Sequence, residues 1–241
     1  MAASADALKP GASAFCAAAA PGTLALEYEA ILALLNAHAD AEAEKRLDAI
    51  EADGLMARAE AALAADFATL RPRILKERAL GLSGNAHRQA AAAAAADGYQ
   101  RAFETHGGAY PAINAASLWA LSGDVGKARK MAALACDLAA TQPPYWALAS
   151  TAEARLVLGD PAGAAQAYAA AALADGRHEQ LASTRRQARW LAAALGVDLD
   201  PDAALPAPSV LHWVAEPGLQ RIAAGLAPGF ASPRRARASP H

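Results

Sequence analysis

Apolar residues recur along most of this chain at the three- and four-residue spacing of one helix face. Thr23 stands as a helix N-cap, and Leu24, Leu26, Ile31, Leu32 and Leu35 mark a short amphipathic helix behind it. The run Ala39–Leu70 keeps helical spacing through Leu47, Ile50, Leu55, Met56, Leu63, Phe67 and Leu70, with Gly54 as a point of division. Pro72 fits a helix's first turn, and Ile74, Leu75 and Leu80 give that segment a buried side. Gly81–Gly84 reads as a connector. A further helix spans about Asn85 to Thr105 and stops at His106-Gly107-Gly108.

From there the pattern repeats. Leu121-Ser122-Gly123-Asp124 and Leu158-Gly159-Asp160 each punctuate two helical stretches, and Gly123 and Gly159 lie 159 − 123 = 36 positions apart. Helix–turn–helix solenoid repeats have a period of roughly 34 residues. Three second helices then align on a small–aromatic–small pattern: Ala95, Tyr99, Ala102; Ala128, Ala132, Ala135, with Ala132 standing in the aromatic slot; and Ala164, Tyr168, Ala171. Their first positions are separated by 128 − 95 = 33 and 164 − 128 = 36 residues. Small residues let neighbouring helices approach, and an aromatic fills the gap between them. The later first helices are Tyr110–Leu121 and Pro144–Leu158, and a last helix, Glu179–Leu195, ends at Gly196.

The ends read differently. Residues 1–22 are rich in Ala, Gly and Pro without a period and predict a disordered leader. Residues 197–241 combine a Pro/Asp-rich linker, an isolated strand at Ser209–Val214 and a basic tail with Arg234, Arg235 and Arg237. A lone strand is not stable without a partner. The tail could touch an acidic partner or nucleic acid; its Pro, Ser and Gly content favours a solvated, disordered end. The sequence thus predicts a leader at 1–22, N-terminal helices at 23–84, repeats at 85–196 and the linker and tail at 197–241.

Composition narrows the classes. The chain is 55 % hydrophobic but only 5 % aromatic, and Ala supplies much of the apolar share, which favours close-packed helices over sheets. With 22 basic and 24 acidic residues it gives no nucleic-acid signal. Two cysteines, Cys16 and Cys136, are too few for a disulfide framework, and Cys136 lies in an apolar helical run. No segment approaches the roughly 20 apolar residues of a membrane span, and a cytoplasmic protein is expected.

The small-residue positions resemble the tetratricopeptide repeat. Three further runs narrow that likeness: Arg73-Ile-Leu-Lys-Glu-Arg-Ala-Leu80, Gly108-Ala-Tyr-Pro-Ala-Ile-Asn-Ala-Ala-Ser-Leu-Trp119 and Ser183-Thr-Arg-Arg-Gln-Ala-Arg189. Over about residues 70–215 the chain resembles a bacterial repeat family related to the TRAF-binding segment of stress-activated MAP kinase kinase kinases. Ala112 departs from it, since such proteins often carry Gly there. In that family the repeats precede further signalling modules, and Val210-Leu211-His212-Trp213 is similar to the opening of the next one. The resemblance therefore implies a regulatory repeat region, with an output domain that this chain does not continue into.

Candidate contacts follow from chemistry and position. Asn114 has two readings: an amide that clamps a bound peptide, or a buried amide that bonds the preceding loop and sets helix packing. Tyr110, Trp119, Tyr145 and Trp146 cluster on first helices; Trp119 suits the inter-helix core, whereas Tyr145 and Trp146 suit either core or a partner. Arg185 and Arg189 project together and could grip a phosphate or carboxylate; the alternatives are a solvated face or ion pairs with Glu153. Glu42, Glu44, Glu51 and Asp53 read as solvated charge.

His87, His106, His178 and His212 are scattered, without metal-ligand spacing. No nucleophile elbow, phosphate loop or dinucleotide fingerprint occurs. The resulting expectation is an all-α, right-handed helical-hairpin solenoid without catalytic residues, cofactor or metal. It would present a groove to a protein or peptide through Tyr110, Asn114, Tyr145, Trp146, Arg185 and Arg189. The alternative is the sensor half of a nucleotide cyclase or kinase whose catalytic domain lies elsewhere.

Overall fold

The computed structural model describes residues 21–174 and 178–206. The leader through residue 20, Cys16 with it, the strand expected at Ser209–Val214 and the basic tail lie outside the described residues. Every regular element among the described residues is helical.

The N-terminal unit contains α1 (Pro21–Asn36), α2 (Asp40–Ala52), a 3-10 turn (Leu55–Arg58) and α3 (Ala61–Ala68). The long run from Ala39 divides at Gly54, whose φ of 64° ends α2 in the left-handed region. Ile31, Leu35, Leu47, Ile50 and Phe67 form its core, completed by Leu70 and Ile74 of α4 (Leu70–Gly81). Leu26, expected on the buried face, is exposed instead. Among the carboxylates read as solvated charge, Glu44 pairs with Arg78 and Glu51 pairs with Arg71. These pairs sit at the surface, where each is worth roughly 0–1 kcal/mol.

Paired helices follow: α5 (Asn85–His106), α6 (Ala109–Ser122), α7 (Val125–Leu138), α8 (Pro144–Leu158) and α9 (Pro161–Leu173). Contacts join α4 with α5, α6 with α7 and α8 with α9, and α6 also lies against α8. The stack of hairpins therefore starts at Leu70 rather than at Asn85. α4 belongs to both units, because Leu70 and Ile74 enter the N-terminal core while Ala79 enters the repeat core. Its pairing with α5 relies on Gly98, where a Cβ would stand 3.0 Å from the Pro72 Cβ.

All nine small–aromatic–small positions are buried, and the rings of Tyr99 and Tyr168 fill the gaps between their helices. Cys136 is half-buried beside this core. No described helix is long and apolar enough to cross a membrane.

The repeated Gly-Asp pairs have a plain physical role. Gly123 and Gly159 end α6 and α8 with φ of 92° and 91°, a conformation that penalises any Cβ. Asp124 and Asp160 then cap α7 and α9 by accepting from the amides of Lys127 at 3.0 Å and Gly163 at 2.8 Å. A Cβ on Gly163 would meet the Asp160 carboxylate at 2.0 Å, so Ala there would expel the cap. Asp160→Ala is expected to cost about 1 kcal/mol in chemical denaturation. Adding Gly163→Ala to that variant should cost nothing further, since the two act through one bond; a fully additive loss would contradict this.

The chain continues in α10 (His178–Leu195) and α11 (Pro201–Ala204). The stretch expected as a linker is thus partly ordered: Asp200 caps α11 by accepting from the amides of Asp202 and Ala203, and Leu205 is fully buried.

Candidate binding groove

The first helices α4, α6 and α8 form one face of the stack, and α10 lies across it. α10 packs on α6 and α8 and hydrogen-bonds to side chains of α4. Leu181, Thr184, Ala188, Leu191 and Ala192 are its buried positions, a helical stripe, while Ser183 and Arg186 face outward. This is the arrangement by which a groove takes an amphipathic helix.

Polar groups set the register. The Lys76 ammonium donates to Asn114 Oδ1 at 2.8 Å and to Gln187 Oε1 at 3.2 Å. Gln187 Nε2 in turn donates to Glu153 Oε2 at 2.6 Å, and the Ser117 hydroxyl donates to the same oxygen at 3.3 Å. One amide from α10 therefore links a cation on α4 to a carboxylate on α8. To one side, the Tyr145 and Thr184 hydroxyls share a hydrogen bond of 2.8 Å. At the rim, Arg186 donates to Glu77 at 3.2 Å.

Glu153 is the group most altered by this setting. Burial raises its pKa from 4.5 to about 7, against the opposing pull of the Gln187 hydrogen bond, the Lys76 charge and the Ser117 hydroxyl. Desolvation wins because the carboxylate is enclosed by α6, α8 and α10 and meets the ammonium only through Gln187. Burial also raises the Tyr145 phenol, with the Thr184 hydrogen bond opposing.

The six residues expected to contact a partner fall in different places. Asn114 is buried; its Nδ2 donates to the Tyr110 carbonyl at 2.9 Å while its oxygen receives Lys76, so it bonds the start of its own helix and the neighbouring one together. Tyr145 is buried beneath α10, and its ring meets half-buried Trp146 edge-on with centroids 5.0 Å apart. Tyr110 is exposed and lies edge-on to Tyr99 at 5.9 Å. Arg185 is half-buried, with its Nε making no hydrogen bond. Arg189 is exposed and paired with Asp202.

Glu153 hydrogen-bonds Gln187 and Ser117 rather than an arginine, because position 187, not 185 or 189, projects from α10 toward α8. Trp119 is buried, donating from Nε1 to Gln100 at 2.9 Å, with the Lys127 ammonium 3.9 Å from its ring centre. Lys76, Ser117, Thr184 and Gln187 lie in the runs that carry the family resemblance, but no motif there gave them a role in a site. A faint signal existed in Gln187, a polar residue adjoining the apolar stripe of an amphipathic helix. Among the described residues no cluster of three or more His, Cys, Asp or Glu is placed to hold a metal ion.

A family model described as Tetratricopeptide Repeats-Sensor matches residues 4–119, ending within α6. Neither a curated protein nor a solved structure matches the chain. The match and the stacked hairpins agree on a tetratricopeptide-type helical-repeat fold.

Proposed function

We propose that this chain is a non-catalytic binding and regulatory module whose α4–α6–α8 face takes an amphipathic helix. Its own α10 is the resident occupant, and a protein partner presenting a similar helix is the competitor. The observation that carries this reading is the Gln187 amide held between Lys76 and Glu153. Without an amide at that place the buried carboxylate would lose its shortest hydrogen bond, so the face is chemically complete only when a helix covers it. The proposed partner segment has apolar residues at the spacing of Leu181, Ala188 and Leu191, with a Gln-like side chain on the adjoining edge. The sensor description of the matching family, and the resemblance to repeat regions beside signalling domains, support placing the module next to a signalling enzyme that α10 exchange would control.

A competition experiment tests this. Leu181→Asp with Leu191→Asp in the full chain puts charge on the buried stripe and is expected to release α10. The α4–α9 hairpins should stay folded, as read by hydrogen exchange. A labelled peptide of residues 178–196 should then bind the variant and bind the wild type at least about tenfold more weakly, because the resident helix holds the competent state at low population. Equal binding to both proteins would sink the proposal. So would collapse of the whole stack, which would make α10 ordinary core.

A further inference from the structure

We infer that the seam between α10 and the repeat stack is a binding site for a small organic phosphate. The inference rests on the docking of α10 proposed above and names what that docked state recognises. A cavity of about 660 Å³ opens at the seam. Small-molecule sites span roughly 300–1,000 Å³. Leu80 of α4, Arg88 of α5 and Leu121 of α6 line it from the stack, and Arg186, Arg189 and Trp190 line it from α10.

The charge is one-sided. Three guanidinium groups line the cavity and no carboxylate does. Arg186 reaches Glu77 and Arg189 reaches Asp202, each through one Nη2. Arg88 donates from Nε and Nη2 to the Leu82 carbonyl, at 3.2 and 2.9 Å, and pairs with no carboxylate among the described residues. A guanidinium carries five N–H donors, so all three retain donors for an incoming oxyanion. Three cations against two carboxylates leave a surplus of positive charge. The N-terminus of α5 adds to it: Gly84 offers no side-chain cap, and the first-turn residue Asn85 lines the cavity.

A phosphate head suits this set better than a carboxylate, because its three terminal oxygens can engage more than one guanidinium fork. Leu80, Leu121 and the Trp190 ring supply an apolar wall for the body of the ligand. Neither half of the site suffices alone. A ligand that touches Arg88 on the stack and Arg189 on α10 binds the docked state better than the released one, and so holds α10 in place.

Calorimetric titration of the full chain with phenyl phosphate, inorganic phosphate, benzoate and phenol tests the site. Phenyl phosphate is expected to saturate one site and to slow hydrogen exchange along α10. Inorganic phosphate and benzoate should bind more weakly, and phenol should not bind. Arg88→Gln with Arg189→Gln should weaken phenyl phosphate at least about tenfold, two charge-assisted contacts being lost. Lys130→Gln, a change at an exposed residue outside the cavity, should leave it unchanged. If the double variant melts early, Arg189→Lys serves instead, expected to retain charge and part of the affinity.

Binding that survives in the double variant, falls equally in Lys130→Gln, or is absent altogether overturns the site. Benzoate binding more tightly than phenyl phosphate overturns the phosphate head. An α10 that is protected from exchange while no anion binds defeats this inference alone. An α10 that exchanges as freely as a coil defeats the groove reading beneath it.

Discussion

Glu153→Gln is expected to make the protein more stable than wild type at pH 8 and equally stable near pH 4. In the unfolded chain the Glu153 carboxyl ionises near its ordinary 4.5, whereas in the fold it holds its proton up to about 7. Below 4.5 both states are protonated and the residue contributes no pH dependence. Between 4.5 and about 7 the unfolded state binds fewer protons than the native one, so stability falls as pH rises. Above 7 both are ionised and the penalty is constant, on the order of 3 kcal/mol.

Glutamine keeps an oxygen that can accept from Gln187 and Ser117 but carries no charge to desolvate. The difference between variant and wild type in urea denaturation should therefore grow across that window and then level off, reaching about 2–3 kcal/mol. Burial pushes the phenols of Tyr145 on α8 and Tyr168 on α9 upward, away from this window. Parallel stability curves for the two proteins would show that Glu153 is not held in its protonated form. Because Gln187 reaches Glu153 from α10, release of that helix should follow the same window: easier at pH 8 than at pH 6 in wild type, and pH-independent in the variant.

Tyr168→Ala should cost about 3–5 kcal/mol, the larger of the two effects. Its ring is fully buried among small residues, which cannot reach across the space it leaves. Ala164 and Ala171 on its own helix, and Ala152 on α8, all lie in the same core. Tyr168→Phe separates ring from hydroxyl. The Tyr168 oxygen is buried and makes no hydrogen bond. Removing it should leave stability unchanged or raise it by about 1 kcal/mol, since an unpaired buried hydroxyl is a cost. Midpoints of chemical denaturation decide the matter. A Phe variant weaker by more than 1 kcal/mol would mean that the hydroxyl has a partner, such as an enclosed water.

Much of the fold was legible because its signals are local. The Gly123-Asp124 and Gly159-Asp160 turns combine a left-handed helix end with a side-chain cap, and both effects act within a few residues. Ala95, Tyr99, Ala102 and their counterparts are spaced so that any stacking of hairpins buries them together. The start of the stack was harder to see. α4 looks like the last N-terminal helix because Ile74 serves that core, and only its pairing with α5 places it among the repeats.

The candidate site was less legible. Asn114, Tyr145 and Trp146 stand out by type, yet type does not say that Asn114 takes Lys76 or that Tyr145 takes Thr184. Arg189 was visible as a cation, while Arg88, more than a hundred positions earlier, gave no sign of sharing a cavity with it.

By itself, then, the sequence determined the helices, their caps and the surfaces along which hairpins stack, through interactions that close within one or two turns. The tertiary structure alone decided that α10 returns across the α4–α6–α8 face, where Lys76 meets Gln187 over 111 positions of chain. That return buries Glu153, raises its pKa and opens the arginine-lined seam. Burial and charge at such a place are set by which distant elements exclude water from it, and no local pattern encodes that.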